Sequence, residues 1–164
     1  MSTDTSHAMI IERAGRTTSK LLEGLHAAAF YRPGDETWSE RAFSDVLNSP
    51  GSFCLLAISK EADGNEPCGF AACRVRSKEA ELLSIGVSPD FRRSGVARAL
   101  IKRVVDMCQE AGALDLFLEV AEDNPTAHQL YCDVGFEQVG TRKNYYQRLN
   151  GVQVHARTMR LLLD

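Results

Sequence analysis

No run of apolar residues in this 164-residue sequence approaches the ~18 residues that a membrane-spanning helix needs. The formal net charge is −3, too small to favour nucleic-acid binding through bulk electrostatics. Residues 1–8 are small and polar and contain neither the basic nor the apolar part of a signal peptide, so we expect a flexible N-terminus. These absences predict a cytoplasmic protein with no membrane partner and no direct nucleic-acid partner.

Motifs of several enzyme classes are also missing. The five cysteines are scattered, and none forms a CxxC pair or lies at a metal-ligand spacing from a histidine, which predicts no metal site. Several of them lie in apolar runs and are expected to be buried free thiols, as in a reducing compartment. Neither Ser84 nor Ser94 has the GxSxG context of a serine nucleophile, so no covalent enzyme intermediate is expected.

The pattern of hydrophobic residues predicts one mixed α/β domain over residues 9–164. Hydrophobic residues make up 44% and charged residues 25% of the chain, values typical of a globular protein of this length. Strand-like and helix-like periods follow one another in the order β-α-α-β-β-β-α-β-α-β-β. A helix separates the strands at 80–87 and 114–120, so these two strands should lie parallel, joined by a right-handed crossover.

A basic turn between the 80–87 strand and the following helix is the first candidate binding site. The backbone N–H groups in the first turn of a helix have no intrahelical acceptor, and the helix dipole makes that end positive. Gly95 allows the turn to close and a ligand to approach the backbone, and Ala97 keeps the first helical turn narrow. The pattern predicts a phosphate or pyrophosphate site formed by Arg92, Arg93, Ser94, Gly95, Val96, Ala97 and Arg98.

Two familiar phosphate-binding motifs fit this turn poorly. The Walker loop GxxxxGK[ST] is absent, and only one of the three glycines of the dinucleotide-binding motif GxGxxG is present. Glu119 follows Gly95 at about the distance of a ribose-binding acid, which favours a dinucleotide, but the missing glycines and the arginines weigh against one. An ordinary surface turn before a helix is the alternative to any ligand site.

The turn instead resembles [QR]xxGx[GA], the pyrophosphate loop of the GNAT family of acetyl-CoA-dependent N-acetyltransferases, with Arg92, Gly95 and Ala97 at its defined positions. The predicted element order is also the GNAT order. The resemblance implies a GNAT fold: a mixed central sheet of about seven strands with about four helices, and a splay between the 80–87 and 114–120 strands. It also implies that the pantetheine arm of acetyl-CoA pairs in that gap with Ile85, Gly86 and Val87.

Residues 118–146, LEVAEDNPTAHQLYCDVGFEQVGTRKNYY, resemble the bacterial ribosomal-protein-alanine N-acetyltransferases, the RimI type. The shared pattern is LEV, an asparagine, LY, GF and NYY preceded by a basic residue. The resemblance implies acetylation of the N-terminal α-amine of a protein, above all an alanine-starting small-subunit ribosomal protein. It further implies cofactor contact by Asn124 and an acceptor site flanked by Trp38, Tyr145 and Tyr146.

Glu119 ends an apolar strand, where an ionised carboxylate is costly unless it is paired or hydrated. Desolvation would raise the pKa of this carboxyl towards the useful range of a general base for an attacking amine. Deprotonating an α-amine of pKa about 7.7–8.0 costs about 3 kcal/mol less at neutral pH than deprotonating a lysine amine of pKa about 10.4. The alternative for Glu119 is a structural ion pair with an arginine.

The family resemblance places a general acid at Tyr131. A phenol of pKa about 10 can protonate a thiolate whose conjugate acid has a pKa of about 8.5, at a cost of about 2 kcal/mol. Structural alternatives exist for several of these residues. Tyr131 fits a buried core position, Asn124 fits the N-cap of a helix, and Trp38 fits a hydrophobic staple that packs on Phe43.

Two other functions stay open on the sequence alone. One is a GNAT enzyme that acetylates a protein lysine or a small-molecule amine, and the other is a non-catalytic acyl-CoA-binding module, against which Glu119 and Tyr131 argue. Three features depart from the RimI-type pattern: Ala97 where glycine is more usual, Arg92 where glutamine is frequent, and an extended loop at 32–36. The acceptor is therefore the least firmly implied property, and the sequence does not fix an oligomeric state.

Overall fold

The computed structural model describes residues 8–32, 34–61 and 63–164, and these have the predicted order of elements. Among the described residues, the helices are α1 (Ser19–Ala29), α2 (Glu40–Asn48), α3 (Val96–Glu110) and α4 (Pro125–Val134). The strands are β1 (Ala8–Arg13), β2 (Ser52–Glu61), β3 (Gly64–Arg76), β4 (Glu79–Val87), β5 (Asp115–Ala121), β6 (Glu137–Gln147) and β7 (Gln153–Leu162). Short 3₁₀ segments at Pro89–Phe91 and Leu149–Gly151 follow β4 and β6.

All of these strands belong to one mixed sheet, in the order β1-β2-β3-β4-β5-β7-β6. β4 and β5 are parallel, and every other neighbouring pair is antiparallel. The predicted meander followed by a parallel crossover is therefore confirmed. Within the described ranges no helix is long and apolar enough to cross a membrane.

β4 and β5 pair only at their first residues and then separate. The parallel register runs from Glu79 opposite Asp115 to Glu81 opposite Phe117 and ends there. β4 nevertheless stays paired with β3 as far as Val87. The two central strands therefore diverge towards their carboxyl ends, which confirms the predicted splay.

A β-bulge in β4 sets the residues that line one side of this splay. The register between β3 and β4 skips Leu83, so that residue has no opposite partner. Ala80 and Leu82 before the bulge, and Ile85 and Val87 after it, all contribute to the core beneath α3. Regular alternation would have placed the two pairs on opposite faces of the sheet.

Helices cover both faces of the sheet, as expected for an α/β domain. The apolar stripe of α3, which includes Leu100, Ile101 and Val104, packs on one face. Leu22 of α1 and Phe43 of α2 pack on the other face, each fully buried. The two clusters bury the sheet between them and fix the positions of the loops at the carboxyl ends of β4 and β5.

Several helix boundaries follow from local chemistry that the sequence predicts. The hydroxyl of Ser39 accepts a hydrogen bond from the Ala42 amide at 3.1 Å and caps α2. Asn124 Oδ1 accepts one from the Ala127 amide at 3.2 Å, and Pro125 occupies the first position of α4. A glycine with a φ of +115° ends α4.

Two expectations need adjustment. The N-terminal segment expected to be flexible was drawn as residues 1–8. Residues 1–7 lie outside the described residues, but Ala8 is part of β1, where it pairs with Lys60. Four cysteines are buried free thiols as predicted, whereas Cys132 is exposed because it lies on the outer side of α4.

Candidate active site

The turn before α3 has the backbone shape of an anion-binding site. Gly95 precedes the first helical residue with a φ of +84°, in the left-handed region that favours glycine, and Arg93 has a φ of +60°. The Ser94 hydroxyl closes the turn by donating to a carbonyl three residues earlier. The first helical hydrogen bond runs from the Ala99 amide to the Gly95 carbonyl at 3.1 Å. The amides of residues 96–98 thus have no intrahelical acceptor, and together with the helix dipole they suit a phosphate.

Two arginine side chains of this turn are engaged by the protein itself. Arg92 donates to the Ala29 carbonyl at 2.8 Å and lies 5.5 Å from the centre of the Tyr31 ring, which ties the turn to the end of α1. Arg98 pairs with Asp133 of α4 at 3.2 Å, and both side chains are exposed. An exposed pair of this kind is worth less than about 1 kcal/mol and opens readily for a ligand.

The edge of β4 that faces β5 has no strand partner in the described chain beyond Glu81. On its other edge β4 is paired with β3 through Ile85, Gly86 and Val87. Unpaired backbone groups within a sheet need a partner, and an extended ligand with amide groups fits this gap as an added strand. Gly86 is required here, because a Cβ at this position would lie 2.7 Å from the Cβ of Ala29.

A shallow groove of about 450 Å³ lies between α3 and α4, next to the anion-binding turn. Asn124 lies at the start of α4, where its side-chain oxygen is used for the cap, and its side-chain N–H₂ group is not part of that bond. The groove is lined by Arg98, Pro125, Thr126, Gln129, Leu130 and Asp133.

Glu119 lies in β5 where the two central strands have already separated, and its side chain is only 16% exposed. Its Oε1 forms an ion pair with Arg142, whose Nε lies 2.9 Å away. Its Oε2 is buried and has no hydrogen-bond partner among the described residues. Burial raises the pKa of this carboxyl, Arg142 lowers it, and the nearby charge of Glu81 raises it again. Glu119 thus combines the predicted ion pair with one buried oxygen that is available to a proton.

Tyr131 and Tyr146 lie in the same electrostatic environment as Glu119. Tyr131 is 7% exposed and packs edge-to-face on Phe136, with 5.8 Å between ring centres. Burial, and after it the proximity of Tyr146, raise the pKa of the Tyr131 phenol well above its usual value. Burial and the charge of Glu119 raise the pKa of Tyr146 to about 12. The half-buried Tyr146 therefore links the two predicted catalytic residues.

Two arginines, one in β6 and one just after it, lie against Tyr145 and Tyr146. The guanidinium of Arg142 lies 5.2 Å from the centre of the exposed Tyr145 ring, and that of Arg148 lies 5.3 Å from the centre of the Tyr146 ring. Arg148 also forms two hydrogen bonds with the carboxylate of Asp123, at 2.9 and 2.7 Å. These contacts fix both tyrosines of the NYY segment, which the family resemblance predicts to flank the acceptor.

Trp38, predicted to flank the acceptor, makes its aromatic contacts with residues of α1 and α2. It precedes the Ser39 cap and packs on Phe43, with 5.1 Å between ring centres, and it stacks on His26 at 6.0 Å. Its backbone amide donates to Nδ1 of the buried His26 at 3.4 Å. Trp38 therefore has the packing of the alternative, a hydrophobic staple, and it anchors the end of the preceding loop.

That loop, residues 31–37, approaches the connection between β6 and β7. A Cβ on Gly34 would lie 3.1 Å from the Leu149 amide nitrogen and 3.6 Å from the Cα of Arg148. The charge of Glu36 contributes to the raised pKa of Tyr146. The extended loop thus borders the acceptor side of the site, while its Pro33 lies outside the described residues.

The sequence reasoning missed the roles of four charged residues of the site. Arg142 was recognised only as a basic residue before NYY, and Glu81 and the pair of Asp123 with Arg148 were not singled out. When the partner of a charged residue lies far away in the sequence, the local sequence does not indicate which residue that partner is. Only the rule that a buried carboxylate needs a cation would have prompted a search for Arg142.

Comparisons with known proteins agree with this geometry. The chain matches the acetyltransferase (GNAT) family over residues 20–136. It is 35% identical over 126 residues to the [ribosomal protein bS18]-alanine N-acetyltransferase of Haemophilus ducreyi, covering 77% of this chain and 83% of that protein. It is also 35% identical over 131 residues to the N-alpha-acetyltransferase RimI of Mycobacterium tuberculosis, covering 77% of each.

Solved structures show the same architecture. The ribosomal-protein-S18-alanine N-acetyltransferase from Escherichia coli has a TM-score of 0.83 at 27% identity, covering 96% of this chain and 95% of that one. Arabidopsis thaliana NAA60 in complex with acetyl-CoA has a TM-score of 0.81 at 20% identity, over 95% and 99% of the two chains, and supports the fold alone. With its splayed sheet and its family match over residues 20–136, the chain belongs to the GNAT family of N-acetyltransferases.

Proposed function

We propose that this enzyme transfers an acetyl group from acetyl-CoA to the N-terminal α-amine of a protein, the N-terminal alanine of ribosomal protein bS18, in the cytoplasm. The observation that carries the proposal is the similarity to enzymes named as bS18-alanine N-acetyltransferases, at 35% identity over 77% of the chain. The buried carboxylate of Glu119 at the splay agrees with an amine as the acceptor.

The chain offers a continuous surface for acetyl-CoA. The unpaired edge of β4 at Ile85, Gly86 and Val87 would bind the amides of the pantetheine arm, since it is the side of the strand that no other strand occupies. The amides at the start of α3 would bind the pyrophosphate, and Asn124 would contribute its side-chain N–H₂ group. Acetyl-CoA supplies the thioester carbonyl that the amine attacks.

Glu119 is the proposed general base. An α-amine of pKa about 7.7–8.0 is partly neutral at physiological pH, so a carboxylate of raised pKa can take the remaining proton, directly or through one water. The free Oε2 is the atom for this step, because Oε1 is already paired with Arg142. A lysine amine would require about 3 kcal/mol more for deprotonation, which favours an N-terminal acceptor.

Tyr131 is the proposed general acid. Burial raises the pKa of the phenol, so its hydroxyl stays protonated at every pH at which the enzyme is active. The same burial makes complete loss of the proton more costly than the ~2 kcal/mol that ordinary pKa values give. Tyr131 therefore acts first as a hydrogen-bond donor to the departing sulfur and completes proton transfer as that sulfur becomes more basic.

The decisive experiment measures acetyl transfer to three matched peptides by mass spectrometry. The first has a free N-terminal alanine and no lysine, the second is the same peptide with a blocked N-terminus, and the third is blocked and has one internal lysine. Transfer to the first peptide alone is expected. Transfer to the third alone would overturn the proposal in favour of a lysine acetyltransferase. Acetyl-CoA binding without transfer to any peptide would favour a small-molecule amine or a binding module.

A further inference from the structure

The pairing between β6 and β7 is interrupted beside the acceptor side of the site. Arg142 lies opposite Ala156 and Tyr146 lies opposite Val154, so a three-residue segment of β6 faces the single residue His155 of β7. β6 therefore contains a bulge with a pair of extra residues. Because an even number of residues is inserted, Arg142 and Tyr146 stay on the same face of the sheet.

That face is the one to which Glu119 belongs. Glu119 lies opposite Thr158, which is an even number of residues from the β7 partners of both Arg142 and Tyr146. The ion pair of Arg142 with Glu119 at 2.9 Å agrees with this shared face, and the charge of Glu119 also raises the pKa of Tyr146. Without the two extra residues in β6, Tyr146 would pair two residues further along β7, about 7 Å from its present place.

One hydrogen bond lies at the centre of the bulge. Asn144 has a φ of +54°, which turns its N–H out of the ladder, and this N–H donates to Nδ1 of His155 at 2.9 Å. Nδ1 can accept only in the neutral imidazole that carries its proton on Nε2. The backbone of His155 is itself fixed, because its carbonyl accepts from the Glu122 amide at 2.9 Å. The ring is thus an acceptor held at a defined place on β7.

We propose that His155 is a positioning residue for acetyl transfer: by accepting the N–H of Asn144 it holds the bulge that brings Tyr146 towards the Arg142–Glu119 pair on the same face of the sheet. His155 acts through Tyr146 and not on the acceptor itself. The inference rests on the proposed function in assigning the acceptor amine to the Glu119 face of the sheet.

Kinetics of three variants test this role. His155→Leu removes the acceptor, and His155→Asn restores an oxygen close to the place of Nδ1. His128→Leu, on α4, is the matched control. His155→Leu should lower kcat/KM for the alanine peptide by about tenfold or more, with the KM for acetyl-CoA changed less than about twofold. His155→Asn should recover most of the loss, and His128→Leu should match the wild type.

Wild-type activity of His155→Leu would overturn the proposal, as would a loss in His155→Asn equal to that in His155→Leu at equal thermal stability. If His155→Leu does not fold, long-range ¹⁵N–¹H spectra of the wild-type protein decide. A protonated Nε2 and an unprotonated Nδ1 are expected for neutral His155, and the opposite tautomer would overturn the proposal. This measurement needs no substrate. Failure of the wild-type enzyme to acetylate the alanine peptide would instead overturn the proposed function, and the tautomer would still decide whether His155 holds the bulge.

Discussion

Replacement of Arg142 by glutamine should move the acidic limb of the pH–rate profile to higher pH. Arg142 Nε lies 2.9 Å from Oε1 of Glu119. Burial raises the pKa of Glu119, Arg142 opposes that rise, and Glu81 adds to it. Without the cation, burial and Glu81 act unopposed, so the pKa of Glu119 rises further. A general base must be ionised, and activity that depends on Glu119 should therefore appear only at higher pH.

The size of this shift follows from the exposure of the pair. Unit charges about 4 Å apart interact by about 4 kcal/mol at an effective dielectric constant of about 20. Arg142 is 58% exposed and Glu119 is 16% exposed, so solvent screens much of this energy. Exposed pairs contribute about 0.2–1 kcal/mol, and about 1 kcal/mol corresponds to roughly 0.7 of a pKa unit. The acidic limb should move by a few tenths of a pH unit, up to about 0.7.

The assay is kcat/KM for the alanine peptide at saturating acetyl-CoA, measured across the acidic limb. The α-amine of the peptide titrates identically with every variant, so the difference between two profiles reports the enzyme alone. Arg142→Lys keeps the charge and should return the limb close to its wild-type position. Arg160→Gln is the matched control, because Arg160 pairs with Asp115 at 3.6 Å at the opposite end of β5. An acidic limb that stays in place in Arg142→Gln, or moves to lower pH, would refute the reasoning.

Three further predictions concern the proposed catalytic residues and the splay. Glu119→Gln should lower kcat by about 100-fold or more because an amide cannot accept the proton, and full turnover at saturating peptide would exclude the base role. Since the folded state raises the pKa of Glu119, the wild-type free energy of unfolding in urea should also fall relative to the variant as the pH rises above about 4.3. Tyr131→Phe should lower kcat by about tenfold or more with an unchanged unfolding temperature, and a wild-type kcat would contradict the acid role. Gly86→Ala should lower the free energy of unfolding by about 1–3 kcal/mol, because the new Cβ would lie 2.7 Å from the Cβ of Ala29. Gly24→Ala, whose Cβ meets nothing within 4 Å, should raise it by up to about 1 kcal/mol in the same urea titration. Equal effects of the two substitutions would contradict the packing argument.

The order of elements was predictable because each element depends on its own residues. The apolar period of α3 and the Asn124-Pro125 start of α4 act within one or two helical turns. The parallel relation of β4 and β5 follows from the helix between them. The splay, in contrast, came only from the family resemblance. Nothing in the apolar run of β4 shows that its pairing with β5 stops at Glu81, because that depends on the register of two distant strands.

Trp38 shows where two interpretations of one pattern could not be separated. An aromatic residue before a helix cap suits both a staple and a groove, and the local sequence is the same in either case. The packing of α1 against α2 decides, because it brings Trp38 into contact with Phe43 and His26.

Arg142 and the β6 bulge were beyond sequence reasoning for a related reason. Glu119 and Arg142 lie on strands that are not even neighbours, since β7 runs between β5 and β6. Their contact depends on the registers of both pairings. The NYY pattern identified the right segment. The register of that segment on β7 determines which of its side chains lies on the same face of the sheet as Glu119.

The two sides of the site are therefore built by different physical means. On the cosubstrate side the groups that matter are backbone amides and carbonyls, exposed by the Leu83 bulge, the splay and the αL glycine before α3. Side-chain changes there act through packing, as Gly86→Ala should. On the proposed acceptor side the groups are charged and phenolic side chains. The pairing of β6 with β7 places Arg142 and the β6 bulge places Tyr146, so changes there should act through charge and register. It follows that variants of the first kind should alter binding of acetyl-CoA together with stability, and variants of the second kind should alter turnover and its pH dependence at nearly constant stability.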